Sequence, residues 1–410
     1  MKSTVATGLL VVLLAGCGLD DTPPRYAGAR GDTQARVTAM RARVARGERV
    51  PAADAKEIAL ATLWSALEAP SPEARAAAVA VIERAEIEPL AQAVSKRLGD
   101  DDEHVQLAAA IALLRAHPDA FAIVTGALEA ADPDLRERAV LALARKLGDR
   151  AADTIAPLAK DVDPGVRAAV LGALPARDAA GPARAGLADA DGGVRAAAVR
   201  ALGDAEAALK LLEDPYLGAR LAALDVVAEH GAEEALTSPV VTQDPYLALR
   251  AGVILAKRGE TAPGAQAIDR AGRDAAWTLR AAALNALADV NPKRAIEFAA
   301  VFDKDPVPAV RLAAARALGR LGDGARATAM LRTLLDGPAG LDAALELGRA
   351  GASGAAELLH ARWDDGDATA RLTIVREAPA LPGTDAWLLD GARDASPLVR
   401  VAAAERLWRR

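Results

Sequence analysis

The residues that most often carry chemistry are scarce in this sequence. It has one cysteine, Cys17, and four histidines, His104, His117, His230 and His360. No two histidines stand four residues apart, the helical spacing that presents two ring nitrogens to one zinc ion. His104 sits among acids in a turn, His117 precedes a proline, His230 precedes a glycine, and only His360 lies within a helical run. A single thiol excludes an intrachain disulfide and any multi-cysteine metal site. The glycines fall at expected helix ends and form no phosphate-cradling loop. The carboxylates recur at intervals instead of converging. The sequence therefore predicts no catalytic residue, no metal, no cofactor and no enzyme.

What recurs is a charge pattern. Arginine stands at 75, 136, 167, 195, 220, 250, 280, 311, 371 and 400, with Gln106 and Asp342 filling the two remaining positions of the series. Intervals run from 25 to 31 residues. Six residues before each stands an aspartate, at 100, 161, 189, 214, 244, 274, 305, 336, 365 and 394, with Ala69 and Ala130 as exceptions. A fixed period of this length across most of a chain is the mark of a repeat array.

The elements that carry the pattern are legible around Asp305–Gly319. An acid in the turn suits the unpaired N–H groups and the positive end of a helix, and a first-turn proline loses no helical bond. Val310 onward reads as alanine-rich helix, with Gly319 and Gly322 as places to end it. Each period has room for two short helices. Hydrophobic residues make up 52% of the chain but aromatics only 3%, so the core must be alanine, leucine and valine. Small side chains of this kind suit closely stacked helices.

The pattern resembles the HEAT repeat, most closely the short HEAT-like repeats also found in phycobilin lyases, over residues 51–410. The resemblance implies an all-α, right-handed superhelical solenoid of about twelve helix pairs, with the second helices lining a concave face. It also implies that turn aspartate and helix arginine pair within and between neighbouring repeats. Asp161/Arg167, Asp189/Arg195, Asp214/Arg220, Asp244/Arg250, Asp274/Arg280, Asp305/Arg311, Asp365/Arg371 and Asp394/Arg400 would be the rungs of a structural ladder. HEAT-like iron hydroxylases carry His-Glu dipeptides, and this chain has none. HEAT-like DNA glycosylases present basic surfaces, whereas this chain carries a net charge of −6 with a pI near 5.5, so no nucleic-acid partner is expected.

The first residues read differently. Lys2, an apolar run from Val5 to Leu14 and a small-residue exit form a secretory signal over 1–16, too short to span a membrane. Leu14-Ala15-Gly16-Cys17 resembles the lipobox of bacterial lipoproteins. That resemblance implies lipidation of Cys17 and a lipid-anchored place in the bacterial cell envelope, with Gly18 pointing to the outer membrane. Residues 17–50 read as a tether rich in arginine (25, 30, 36, 41, 43, 46 and 49). Asp32 would cap a helix with a Val37, Met40 and Val44 stripe, and the basic face would rest on anionic lipid.

Two decorations of the array are candidate partner-binding features. Tyr216, Tyr246 and Trp277 fall at the turns of three successive repeats, and aromatics are favoured interface anchors. Nine residues past the repeat's arginine position stand Arg84, Arg115 and Arg145, then Asp204, Glu229 and Asp289, a charge gradient along a groove. Three departures are candidate hinges or notches: the 25-residue interval before Arg220, Asp342, and residues 237–243. Trp408 is expected to cover an exposed last repeat. The reading is an envelope scaffold or adaptor that binds a protein or peptide. The alternatives are a cofactor-binding protein like the phycobilin lyases and a structural spacer.

Overall fold

A computed structural model describes residues 29–230, 233–259, 261–381 and 384–410. The signal peptide, Cys17 and the start of the tether, including Arg25, lie outside the described residues. Every regular element among them is helical: a leading helix, Ala29–Ala45, then a series of helix pairs. The chain is an all-α solenoid. Each repeat position falls in a second helix, from Pro72–Arg84 with Arg75 to Pro397–Trp408 with Arg400, so the described chain holds the twelve pairs that the spacing predicts.

Local chemistry sets the helix starts. The side chains of Ser71, Asp102, Asp163, Asp191, Asp244 and Asp367 accept backbone N–H groups at their own helix starts, satisfying donors that have no partner inside the helix. First helices are less regular than second ones. Residues 148–160, for example, pass through 3₁₀ turns and four residues of α-helix. The short interval before Arg220 leaves a first helix of only seven residues, Ala205–Leu211. Residues 237–243 hold the end of one 3₁₀ turn and the five-residue helix Pro239–Gln243. Helices Pro245–Lys257 and Thr261–Ala271 approach so closely that a Cβ on Gly264 would lie 2.7 Å from the Gly252 carbonyl oxygen, which glycine alone permits.

The chain divides into two compact units, Leu143–Ala355 and the two flanking segments Met1–Ala142 and Ala356–Arg410 together. In the second of these, the first helix of the array, Ala52–Leu67, packs along the last, Pro397–Trp408. Six successive residues, Ile58 to Leu63, are buried, so Ala52–Leu67 has no solvent face over that stretch. The end of the array is therefore not exposed as expected, and Trp408 does not cover it. The Trp408 indole N–H donates instead to the Ala85 carbonyl of the first helix pair, at 3.3 Å.

The basic segment also departs from expectation. Ala29–Ala45 packs against both Ala52–Leu67 and Thr384–Gly391, with Val37 fully buried. Asp32 lies inside the helix instead of capping it. Arg41 pairs with Asp390 at 2.9 Å, and Arg43 and Arg46 share Glu48. Over these residues the segment is a docked helix, and three of its arginines, Arg41, Arg43 and Arg46, have carboxylate partners.

Candidate functional site

The ladder forms, with a different wiring from the pairs named above. Within a repeat, arginine meets the backbone of its turn. Nη1 of Arg167, Arg195, Arg220 and Arg280 donates to the carbonyl oxygen six residues earlier at 2.8–2.9 Å. The guanidinium then reaches the aspartate of the next repeat. Arg167 binds Asp189, Arg195 binds Asp214, Arg220 binds Asp244, Arg280 binds Asp305 and Arg371 binds Asp394, with shortest contacts of 2.6–3.0 Å. Arg75 does the same with Asp100 at 2.6 Å. Each of these aspartates also accepts the backbone N–H two residues on in its own turn. One carboxylate thus fixes a turn and joins two repeats.

This wiring accounts for the breaks in the pattern. The arginine needs only a carbonyl from its own turn, so alanine serves at 69 and 130, where Arg75 and Arg136 bind the Ala69 and Ala130 carbonyls. The aspartate is needed only where an arginine precedes it. Ala69 opens the series, and Ala130 follows Gln106, which binds the Leu98 carbonyl instead. Asp365 follows Asp342 and is exposed, and Arg371 takes the Gly366 carbonyl. Asp342 is not a free acid: Arg316 of the preceding second helix binds it at 3.4 Å and Glu346 at 2.7 Å.

Arg250 leaves the ladder. Its helix begins two residues earlier relative to the arginine, with Asp244 as the cap in place of a residue four before it. Two residues of α-helix turn a side chain by about 200°, and Arg250 points back to Asp225 at 2.8 Å. Arg311 keeps the Asp305 carbonyl but makes no pair with Asp336, which is exposed.

Proton affinities follow the ladder geometry. The Arg167 guanidinium bonded to Asp189 holds that carboxyl below the ordinary carboxylate value, and Arg195 does so for Asp214. At Asp305 burial is the largest influence and opposes ionisation, but Arg280 and the Val307 N–H outweigh it and the result is again lowered. These are charges locked in place by structure.

The candidate binding residues separate into two kinds. Tyr216 and Trp277 are about half exposed, at 50% and 46%, although the Tyr216 ring also lies over the glycines at 192 and 218. Tyr246 is more enclosed, and its hydroxyl is 3.1 Å from the Thr278 hydroxyl of the next repeat. Val162, in another turn of Leu143–Ala355, is 91% exposed. The three arginines of the gradient differ in their surroundings. Arg84 forms a two-point pair with Glu405 of the last helix; Arg115 and Arg145 are exposed side chains that also have interactions of their own. Asp204 caps Ala205–Leu211 and Asp289 faces Arg320 at 3.7 Å.

Among the described residues, no group of three or more His, Cys, Asp or Glu side chains is placed to hold a metal ion, and no helix is long and apolar enough to cross a membrane. His104 lies between Asp132 and Arg138. His360 Nδ1 accepts the indole N–H of buried Trp387 at 2.6 Å. The carboxylates that tie the start of the described chain to its last two helices, among them Glu405, Asp385 and Asp390, are not legible in the sequence because they follow no period. One signal was present: Ile58–Leu63, apolar but for Thr62, whose hydroxyl donates to the Ile58 carbonyl, leaves no charged outer face on what should be a capping repeat.

The family model of HEAT repeats matches residues 264–346. This segment carries HEAT repeats. The HEAT segment spans Trp277 and the Arg280–Asp305 rung, and the same joint recurs in repeats before and after it. Among solved structures, the chain is similar to the karyopherin Kap121p. The free protein matches at 14% identity and a TM-score of 0.36, over 85% of this chain and 45% of that one. Kap121p bound to the extreme C-terminus of the protein phosphatase Cdc14p matches at 15% and 0.37, over 91% and 48%. Kap121p bound to Pho4p matches at 14% and 0.37, over 92% and 48%. The chain spans just under half the length of those proteins. No curated protein sequence matches the chain.

Proposed function

We propose that this chain is a non-catalytic scaffold of the bacterial envelope, anchored by lipid on Cys17, that binds a protein or peptide along the turn edge of Leu143–Ala355. One observation carries the reading: Tyr216, Trp277 and Val162 stand exposed at turns that are each braced by an aspartate and an arginine of the same repeat. Large exposed rings on fixed backbone lose little entropy on binding and are the usual anchors of an interface. A spacer has no need of them. Leu14–Cys17 supports the anchor through its lipobox resemblance.

Site-specific photocrosslinkers at 216 and 277 in intact cells, followed by mass spectrometry, test the binding edge. One partner captured at both positions, and lost in Trp277→Ala or Tyr216→Ala when the crosslinker sits at the other site, is the expected result. Equal background capture at both would leave the spacer reading. Cys17→Ser should move the protein from the membrane fraction to the soluble one; an unchanged distribution would remove the lipid anchor without touching the binding edge.

A further inference from the structure

The first helix pair and the last helix meet around an open pocket of 440 Å³ whose walls include Lys56, Arg84, Glu86, Trp408, Arg409 and Arg410. Its cations are held in place. The Lys56 ammonium sits 5.4 Å from the centre of the Trp408 ring, within cation–π range, and makes no hydrogen bond to the protein among the described residues. Glu405 holds both Arg84, at 2.5 Å, and Arg409, at 2.9 Å. Asp385 holds Arg410. One carboxylate shared by two guanidinium groups leaves most of their ten N–H donors unused.

The charge does not balance. Lys56, Arg84, Arg409, Arg410 and nearby Arg49 face Glu83, Glu86, Glu405 and Asp385, a surplus of one positive charge on a chain whose net charge is −6. Burial, and then the charge of Arg49, lowers the proton affinity of Arg410 below the ordinary arginine value. That is the mark of a cation partly withdrawn from water beside another cation.

The wall also contains the one strained residue of the described backbone. Glu86 has φ of 51° and is the only non-glycine residue there with positive φ. It follows the C-terminus of Pro72–Arg84, a position that glycine normally fills. Its conformation is fixed by the Ile87 N–H donating to the Ile82 carbonyl at 3.0 Å, and it leaves the Ala85 carbonyl to receive Trp408. Strain of this kind gathers at binding sites.

We propose that this pocket binds an oxyanion of the phosphate kind, a phosphate ester or a lipid headgroup. Forked guanidinium groups and an ammonium match the tetrahedral oxygens of phosphate better than they match one another. The walls come from both ends of the array, so the ligand holds the first and last helices together and stabilises the chain in proportion to its occupancy. Glu86 restrains the affinity by setting a carboxylate at the rim.

Titration calorimetry of the full chain with pyrophosphate at constant ionic strength tests this. The expected result is saturable one-to-one binding with a rise in melting temperature. Lys56→Ala with Arg409→Ala should weaken binding by about tenfold or more, given the size of charge-assisted hydrogen bonds, while leaving the unliganded melt nearly unchanged. Glu86→Gly should bind more tightly and melt higher. Phosphatidylglycerol vesicles separate the sources. Co-sedimentation that falls in the Lys56/Arg409 variant and is competed by pyrophosphate marks a headgroup; pyrophosphate binding without it marks a free ester. Absence of saturable binding, or equal binding by the variant, overturns the proposal. Neither outcome bears on the turn edge, which is tested separately.

Discussion

Arginine–carboxylate pairs hold both the repeats of Leu143–Ala355 and the junction between the first and last helices, but they are built for different work. In the Arg195–Asp214 rung the side chains are 13% and 4% exposed, and each also bonds to backbone. In the Arg84–Glu405 pair they are 55% and 18% exposed. The first kind is costly to misplace and so sets the register of the stack. The second lies on the rim of an apolar contact between Ala52–Leu67 and Pro397–Trp408, whose strength must come from residues such as Leu63 and Leu407, both fully buried. A buried polar pair specifies, whereas an exposed one trims.

Acid should separate the two regions most strongly. Asp189 and Asp214 have proton affinities lowered by their arginines. Their contribution is fully present above the unfolded value near 3.8 and is lost as pH falls through the lower folded value. Asp390, beside the junction, is shifted the other way: burial raises it against the pull of Arg41. Its ionised form opposes folding above that raised value, and falling pH relieves the cost. Hydrogen exchange followed from pH 6 to pH 3 should therefore show the ladder turns opening only below about pH 4. Ladder turns that loosen above pH 5 would contradict the assignment.

Single substitutions come next. Asp214→Ala strips the partner from Arg195 and the acceptor from the Tyr216 N–H, and should cost about 3–5 kcal/mol in urea melts, the range for breaking a buried pair. Leu407→Ala should cost about 2–5 kcal/mol through the cavity it leaves. It should also raise exchange within Ala52–Leu67, at the far end of the sequence. If exchange there stayed unchanged, the packing of last helix on first would be wrong.

Sequence and structure agree where the physics is periodic. Twelve repeat positions gave twelve second helices, because turn acids, first-turn prolines and alanine-rich runs act locally. The partner choice within the ladder was less legible: Asp161 and Arg167 are near neighbours in sequence, while Arg167 and Asp189 are brought together only by stacking. Ala130 after Gln106 was a clue in plain sight, since arginine and the next aspartate vanish together. The Arg250 detour depends on a helix start shifted by two residues, which spacing alone does not reveal. The junction of first and last helices joins residues more than 320 positions apart, and only the missing charged face of Ile58–Leu63 hinted at it. Of the candidate binding residues, Tyr216 and Trp277 are half exposed, whereas Arg84 is engaged by Glu405.

The missing rung offers a cleaner test of the wiring. Gln106→Arg together with Ala130→Asp should recreate a pair between adjacent repeats, with a coupling of about 0.5–3 kcal/mol in a double-mutant cycle. Gln106→Arg alone should gain nothing comparable, because Asp100, the aspartate of its own turn, already holds Arg75 and Arg97. A gain from the single change equal to that of the double would restore the within-repeat pairing.

The smallest effect belongs to the exposed pair. Arg84→Ala removes a guanidinium more than half in solvent, so most of its attraction to Glu405 is screened. The loss should be below about 1 kcal/mol and should shrink further as salt rises. Glu405 keeps Arg409 at 2.9 Å, so no buried carboxylate is stranded, in contrast to the Arg195 left behind by Asp214→Ala. Melts at low and high salt would show the difference directly: the Arg84 variant should converge on the parent chain, and the Asp214 variant should not. A salt-independent loss of several kcal/mol at Arg84 would mean that the junction, too, is held by its charges and not by its leucines.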